Sequence, residues 1–360
     1  MSSLIDIEGL WKVFGENAKL ALKELNKGRE DDDVYKDFDV KAAVRDVSLQ
    51  IQEGEIFVVM GLSGSGKSTL LRMINGLIKP TAGRLTVLGQ SFDDLSDSKI
   101  QELRRSLMGM VFQSFALFPH RTALENAAFG LEVKGAARRE RLRKAKQALE
   151  SVGLAQESHK FPKQLSGGMQ QRVGLARALA LDPPVLLMDE AFSALDPLIR
   201  REMQEQLLEL QKKKPRTIIF ISHDLDEAVR IGDRIALMKA GRVLQCGAAR
   251  ELMLKPADEQ VRRFFRDVDA SSVMTVEAIA EMPTSHQCIV DSDGILKGVE
   301  INQGEFIEAK KGSVLLAGTT IRDAMETVAL ANYPVPVIDD KQQLIGLLSP
   351  RRLLRSMVME

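Results

Sequence analysis

Hydrophobic positions along this chain follow two periods, and the changes between them mark its elements. Residues 4–14 read as a short strand, and VRDVSLQI, from Val44, alternates apolar and polar positions as a half-buried strand does. Glu53 and Gly54 make a turn. After it, IFVVMG (56–61) is a continuous apolar run ending in glycine, the pattern of a strand covered on both faces. A helix is predicted from about Lys67. Two further buried strands, VLLMD (185–189) and IIFISH (218–223), flank a predicted helix over 197–214. IALMKAGRVLQCG (235–247) reads as a hairpin turning at Ala240-Gly241. Strands alternating with helices predict an α/β fold with a mainly parallel sheet.

Two stretches interrupt that alternation. Residues 15–43 are charged, partly helical in spacing and carry an acidic run at Asp31–Asp33, which predicts a solvated helix and loop inserted at the surface. Residues 99–164 are charged and mostly helical in period, with Pro119 and Pro162 as punctuation, and predict an inserted helical subdomain. Pro256 and the charged VRRFFRDVD segment predict a linker helix. The expected organisation is a first domain over 1–265, a linker over 266–272 and a separate, small α/β domain over 273–360. The clearest part of the latter is TTIRDAMETVALANYPVPVIDDKQQLIGLLSPRRLLRSM: helix, strand, turn at Asp339-Asp340, strand, helix.

Composition narrows the function classes. A length of 360 residues suits two domains, and 44% hydrophobic with 28% charged content supports a buried core. Lys+Arg and Asp+Glu each number 50, so the basic footprint of a nucleic-acid binder is absent and no nucleic-acid partner is expected. The balance conceals an acidic tail, since residues 272–360 hold 8 Lys and Arg against 12 Asp and Glu. Cys246 and Cys288 are far apart and lack metal-ligand spacing, so they read as structural residues of a reducing cytoplasm. The N-terminal MSSLIDIEGLWKVFG lacks the basic-then-apolar order of a signal peptide. No stretch approaches the roughly 18 apolar residues of a membrane span, so any pore this protein serves belongs to another chain. His120, in LFPHRT, is expected on a partner-facing surface, and His159 and His286 on ordinary surface.

The chemistry concentrates in 61–224. GLSGSGKS (61–68) fits G-x-x-x-x-G-K-[ST], after a buried strand and before a helix, the context that such a phosphate loop requires. Its glycines let successive backbone N–H groups turn inward on phosphate oxygens, and the helix N-terminus adds partial positive charge. In such a loop Lys67 reaches the β- and γ-phosphates and Ser68 offers its hydroxyl to Mg²⁺. In VLLMDEAFSALD (185–196), Asp189 ends a strand beside that loop and suits the Mg²⁺ shell, while Glu190 is placed to polarise an attacking water. In LSGGMQQRVGLARAL (165–179), Ser166, Gly167 and Gly168 precede a helix and make a second anion-friendly helix start.

That last run resembles the signature sequence of ABC-type ATPases, and all five ATPase motifs follow in the family's order over about 250 residues. The resemblance implies a P-loop NTPase fold with an inserted helical subdomain. It implies that Gly61, Ser63, Gly64, Ser65, Gly66, Lys67, Ser68 and Thr69 bind ATP, and that Ser166, Gly167 and Gly168 face the γ-phosphate held by the other copy of a homodimer. Gln113, in GMVFQSF, matches the Q-loop glutamine that contacts Mg²⁺ or water. His223 matches the switch histidine on the γ-phosphate, and Asp196, in SALD, the D-loop that meets the opposite subunit. The aromatic that stacks on adenine comes from the first strand in this family; Phe14 is the first candidate and Trp11 the second.

MGLSGSGKST, VFQSFALFPHRT, LLMDEAFSALDPLIR and FISHDLDEAVRIGDRIA look more narrowly like the ATP-binding subunits of glycine betaine/proline (quaternary amine) importers, which also carry an insertion after the first strand. That resemblance implies two transmembrane permease subunits, a substrate-binding protein reached indirectly, and a peripheral place on the cytoplasmic face of the cell membrane. It also implies a regulatory CBS-like region, with 319–358 similar to one module and 273–312 faintly similar to another. Choline, carnitine and polyamine importers are the alternatives. A soluble ABC ATPase of DNA repair or translation fits poorly with a single phosphate loop, no heptads and no cysteine clusters.

Overall fold

In the computed structural model the described residues are 3–266, 268, 269, 271, 273–282, 288–290, 295–301, 305–308, 314–331 and 333–358. The chain forms two compact units, Met1–Phe264 and Phe265–Glu360. The first opens on β1 (Ser3–Phe14), passes through α1 (Ala18–Asn26) and α2 (Asp31–Phe38), and returns along β2 (Lys41–Gln52). β3 (Ile56–Met60) leads into α3 (Lys67–Ile74), followed by β4 (Ala82–Val87), β5 (Gln90–Ser91), α4 (Asp97–Leu107) and β6 (Met108–Val111). Three helices come next, α5 (Ala123–Val133), α6 (Arg138–Ser151) and α7 (Gly167–Leu179). The alternation then resumes with β7 (Val185–Asp189), α8 (Pro197–Lys213), β8 (Thr217–Ser222), α9 (Leu225–Ile231), β9 (Arg234–Lys239) and β10 (Arg242–Gly247). Helices α10 (Ala249–Leu254) and α11 (Glu259–Phe265) close this part of the chain.

The main sheet has the order β10-β9-β3-β8-β7-β6, and only β10 runs antiparallel to its neighbour. Every residue of β3 and β8 is buried, which is why their sequences are continuous apolar runs rather than alternating ones. Burying one such Val, Ile or Phe side chain contributes about 1.5–3 kcal/mol, so the sheet centre is the firmest part of the fold. Parallel register sets Met60 beside Ser222 and Asp189 beside Ile221. The carboxyl ends of β3, β8 and β7 therefore lie side by side, where ligands bind in open α/β sheets. The β9–β10 turn falls at Ala240 and Gly241, both at positive φ (48° and 81°), as a tight two-residue hairpin demands.

A second sheet, β2-β1-β4-β5, is antiparallel and alternates buried with exposed positions. Its buried Ile5, Ile7, Leu49, Ile51 and Leu85 share one core with Leu70 and Leu71 of α3 and Phe57 of the main sheet. The phosphate-loop helix is thus clamped between two sheets.

The first strand lies where expected, at Ser3–Phe14, and pairs with β2 out to Phe14. Two details depart from the expectations. Residues 99–164 are not helical throughout: Met108–Val111 form β6, the edge strand beside β7, and a four-residue apolar run flanked by helices gives periodicity too little to act on. The helical block itself begins at Thr122, whose hydroxyl and backbone exchange hydrogen bonds with Glu125 in a capping box. The 15–43 insertion is more than a solvated helix and loop, since Ala21, Leu22, Val34 and Val40 form a small core with Trp11 and Val13. Each short helix lends this core one or two buried side chains, with Ala18, Leu25, Tyr35 and Phe38 packed against them.

The second unit contains a three-stranded antiparallel sheet of β11 (Cys288–Val290), β12 (Leu296–Ile301) and β13 (Glu305–Glu308). It continues with β14 (Leu315–Leu316), α12 (Ile321–Leu330), β15 (Val335–Ile338), β16 (Leu344–Leu348) and α13 (Pro350–Val358). β14 runs parallel to β15 and β16 antiparallel to it, and Ile321, Ala324 and Val328 of α12 pack against Val335, Val337 and Leu348. Thr320 caps α12 by accepting from the Asp323 N–H. Among the described residues no helix is long and apolar enough to cross a membrane. Cys246 is a free cysteine whose burial pushes its thiol up, and His120 and His159 are exposed. His286 lies outside the described residues.

Candidate active site

The loop 61–66 turns sharply from β3 into α3. Gly66, the residue capping α3, has φ 102°, and a Cβ there would lie 2.1 Å from the Ala43 carbonyl oxygen. Only glycine fits so close an approach to β2. The Gly241 N–H donates to the Ser65 carbonyl at 3.0 Å, and the Arg45 N–H to the Gly241 carbonyl at 2.8 Å. The β9–β10 turn thereby ties the loop to β2. Lys67 is buried, and its Nζ donates to the carbonyls of Gly61 (2.7 Å) and Leu62 (3.0 Å). Burial pushes its ammonium below the ordinary lysine range, opposed by the carboxylates of Glu190 and Asp189. Ser65 Oγ is buried with no hydrogen-bond partner within the protein, an uncommon and costly state that an anion in this loop would relieve. Ser63 and Gly64 are exposed at the loop's crest, and Thr69 is half-buried one turn into α3.

The ends of β7 and β8 bring acidic and basic groups to that loop. Ser68 Oγ donates to Asp189 Oδ1 at 2.8 Å. Glu190 follows with φ 47°, a left-handed conformation that is strained for a residue with a Cβ, and its N–H donates to the Ile221 carbonyl at 3.2 Å. Its carboxylate accepts from Gln113 Nε2 at 3.2 Å and lies 3.4 Å from His223 Nδ1. Gln113 Nε2 also donates to Ser193 Oγ at 3.3 Å, and Ser193 Oγ donates to the Glu190 carbonyl at 2.9 Å. Residues from three separate loops thus converge on Glu190.

The signature region stands differently. Ser166 Oγ accepts from the Met169 N–H at 3.3 Å, capping α7. Gly167 and Gly168 form its first turn, and a Cβ on Gly168 would lie 2.5 Å from Ile199 Cγ2 on α8. Asp196 caps α8 in the same manner, accepting from the Ile199 N–H at 3.1 Å. Within one copy these groups bond to their own helix starts rather than joining Lys67, Asp189 and Glu190.

The two aromatic candidates separate cleanly. Trp11 is buried in the small core of the insertion, with the Arg242 guanidinium 6.0 Å from its ring. That packing makes Trp11 a core residue of the insertion. Phe14 is 43% exposed, carries the Lys12 ammonium 5.0 Å above its ring, and pairs with Lys41 two positions from the residue that meets Gly66. Ser193, the Ala43 carbonyl and Gly241 were not among the sequence candidates. Ser193 sat within the quoted SALD run, whereas a backbone carbonyl leaves no trace in side-chain identity.

A hydroxyl and a carboxylate in contact, Ser68 and Asp189, are hard oxygen donors of the kind Mg²⁺ takes alongside substrate phosphates. Among the described residues no group of three or more His, Cys, Asp or Glu side chains is arranged to hold a metal.

The sequence matches the ABC transporter family over residues 44–193. It is 44% identical to the glycine betaine/proline betaine transport system ATP-binding protein of Salmonella typhimurium, across 99% of this chain and 98% of that protein. The trimethylamine N-oxide transport system ATP-binding protein of Ruegeria pomeroyi is also 44% identical, across 96% of this chain and 95% of its own length. Among solved structures, a dimeric bacterial ABC transporter cassette aligns with a TM-score of 0.57 and 35% identity, covering 68% of this chain and 98% of the cassette. A post-hydrolysis form of that cassette bound to ADP and Pi aligns with a TM-score of 0.57 and 34% identity, over the same shares of the two chains.

Proposed function

This chain belongs to the ABC transporter family, as an ATP-hydrolysing subunit, and we propose that it drives uptake of glycine betaine, proline or a related quaternary amine through partner permease subunits. The full-length likeness to the Salmonella betaine subunit carries the solute class. Trimethylamine N-oxide is the second reading, supported by the equally identical Ruegeria relative. Glycine betaine and trimethylamine N-oxide are both small methylated amines with a formal positive nitrogen and a negative oxygen, and the motor itself touches neither.

In this mechanism the 61–69 loop holds the nucleotide's phosphates, with Lys67 on the β- and γ-phosphates and Phe14 against adenine. Ser68, Asp189 and Gln113 hold Mg²⁺, which when bound neutralises charge on the phosphate oxygens. Glu190 accepts hydrogen bonding from the attacking water and draws off its proton as the water adds in line to the γ-phosphorus, while the bond from that phosphorus to the bridging oxygen breaks and ADP leaves. His223 steadies both Glu190 and the γ-phosphate. The second copy supplies Ser166, Gly167 and Gly168 to each γ-phosphate and Asp196 to the facing surface, so that two ATP molecules close a homodimer. Closure pulls two transmembrane subunits through the helical block near 110–130, from the cytoplasmic face of the cell membrane, and a substrate-binding protein is engaged only through them. The C-terminal unit acts as a CBS-like regulator: deleting 273–360 is expected to leave ATPase activity and remove its response to salt, and an unchanged salt response rules the regulator out.

Uptake of labelled glycine betaine at low and high salt tests the assignment, comparing wild type with a strain carrying Glu190→Gln. Salt-stimulated uptake that the substitution abolishes is the expected result. Uptake of betaine unchanged by the substitution, with loss of trimethylamine N-oxide uptake instead, moves the solute to the second reading.

A further inference from the structure

Glu190 and His223 sit on different loops, and one face of α8 is bonded to both. Arg200 and Gln204 are one helical turn apart, so their side chains project from the same face. Arg200 Nη2 donates to the carbonyls of Ser193 (3.3 Å) and Leu195 (3.2 Å), in the loop that begins at Glu190. Its Nη1 donates to Asp224 Oδ2 at 3.1 Å, the residue after His223. Gln204 Nε2 donates to Glu227 Oε1 at 3.1 Å, and Ser222 Oγ, the residue before His223, donates to Glu227 Oε2 at 2.5 Å. Gln204 and Glu227 are buried, and the Arg200 side chain is about three-quarters covered, with 26% exposed. The turn carrying His223 is therefore held on both sides of the histidine, and Arg200 also holds the loop that follows Glu190.

We propose that Arg200, with Gln204 beside it, is a positioning residue for ATP hydrolysis: it braces the Ser193–Leu195 loop against the His223 turn so that Glu190 and His223 keep their mutual contact when a second copy docks. The inference rests on the ATPase mechanism above and deepens it. A planar guanidinium spreads five donors over three nitrogens and reaches acceptors on two loops, whereas a lysine ammonium presents its three donors from a single nitrogen. The contacts sit behind the reacting groups, so losing them misplaces Glu190 and His223 without touching the phosphate loop. Misplacement of about 1 Å in a reacting geometry is worth about 100-fold in rate.

The test uses the purified full-length chain and measures kcat and KM for ATP, binding of a fluorescent ATP analogue, and thermal unfolding. Arg200→Met is expected to lose about 100-fold in kcat while KM and analogue binding stay at wild-type values. Arg200→Lys, able to keep Asp224 but not both carbonyls, falls between, and Gln204→Leu shows the same pattern more weakly. Arg201→Ala removes only an exposed pair with Glu205 and leaves all readouts unchanged. Wild-type kcat in both Arg200→Met and Gln204→Leu overturns the proposal, as does a fall in kcat matched by an equal fall in nucleotide binding. Should Arg200→Met not fold, Arg200→Lys and Gln204→Leu decide on the same criterion. Glu190→Gln is measured in parallel: full turnover there overturns the underlying mechanism, whereas an inactive Glu190→Gln with fully active Arg200 variants overturns this inference alone.

Discussion

Two glycine-rich segments open helices in this protein, and their surroundings differ. The start of α3 has a buried lysine, a serine hydroxyl on Asp189, an unpartnered buried Ser65 hydroxyl and a glycine so close to a neighbouring strand that a Cβ would fall 2.1 Å from its carbonyl oxygen. The start of α7 has a capping serine bonded to its own third residue and a glycine against the aliphatic Ile199. Both offer backbone N–H groups and a helix dipole to an anion. The first adds a cation, a carboxylate and a hydroxyl, the groups that suit the metal-bound triphosphate proposed for it. The second adds one hydroxyl, enough to stabilise charge brought to it by another molecule. In the proposed dimer each ATP is held by one kind of start and completed by the other.

The largest effect that would sharpen this comparison is at the first site. Glu190→Gln keeps the loop, Lys67 and Asp189, so it is expected to bind ATP, accumulate as a closed dimer on size-exclusion chromatography and lose about 10²–10⁴-fold in kcat. Normal turnover would mean that another group takes the proton. Next comes Ser166→Ala at the second site. It removes a helix cap, costing about 1 kcal/mol of stability, and a donor to the facing γ-phosphate worth about 100-fold in kcat. Nucleotide binding by the separated monomer should not change. If monomer binding collapses as well, the two helix starts do not differ in kind.

The smallest effect concerns the buried carboxyl behind His223. Burial raises the Glu227 pKa above 4.5, with Asp224 adding to the rise and Ser222, Gln204 and Arg200 opposing it. The folded protein then holds this proton at pH values where the unfolded chain has released it. The associated stability is fully present below about 4.5 and is lost as pH rises through the raised native value. Subtracting the urea midpoint of Glu227→Gln from that of wild type at each pH should give a difference that declines with rising pH. A flat or rising difference would show that Glu227 is charged in the native state as readily as in the unfolded one.

Much of this was legible in sequence because it is local. The apolar runs 56–60, 185–189 and 218–222 are strands buried in the sheet, and the phosphate loop stands between strand and helix as its spacing requires. The Ala240-Gly241 turn followed from two residues at positive φ joining antiparallel strands. β6 was less legible, since four apolar residues beside long helices acquire their identity only by pairing with β7. Trp11 and Phe14 look alike as aromatics three positions apart. One is covered by the insertion's helices and the other is left at its rim.

The sequence by itself determined which groups this protein owns: a phosphate loop, an Asp-Glu pair at a strand end, a second glycine-rich helix start and a histidine after a buried strand. These depend on residue type and on spacings of a few positions, which hydrophobic burial and backbone sterics translate directly into strands, turns and caps. Tertiary structure alone decided which groups meet. The Gln113–Glu190 bond spans 77 positions and the Ser68–Asp189 bond 121, and both exist because β7 lies between β6 and β8, with β3 next to β8. Strand order is set by packing of the whole core, so a contact across it belongs to no local run of residues.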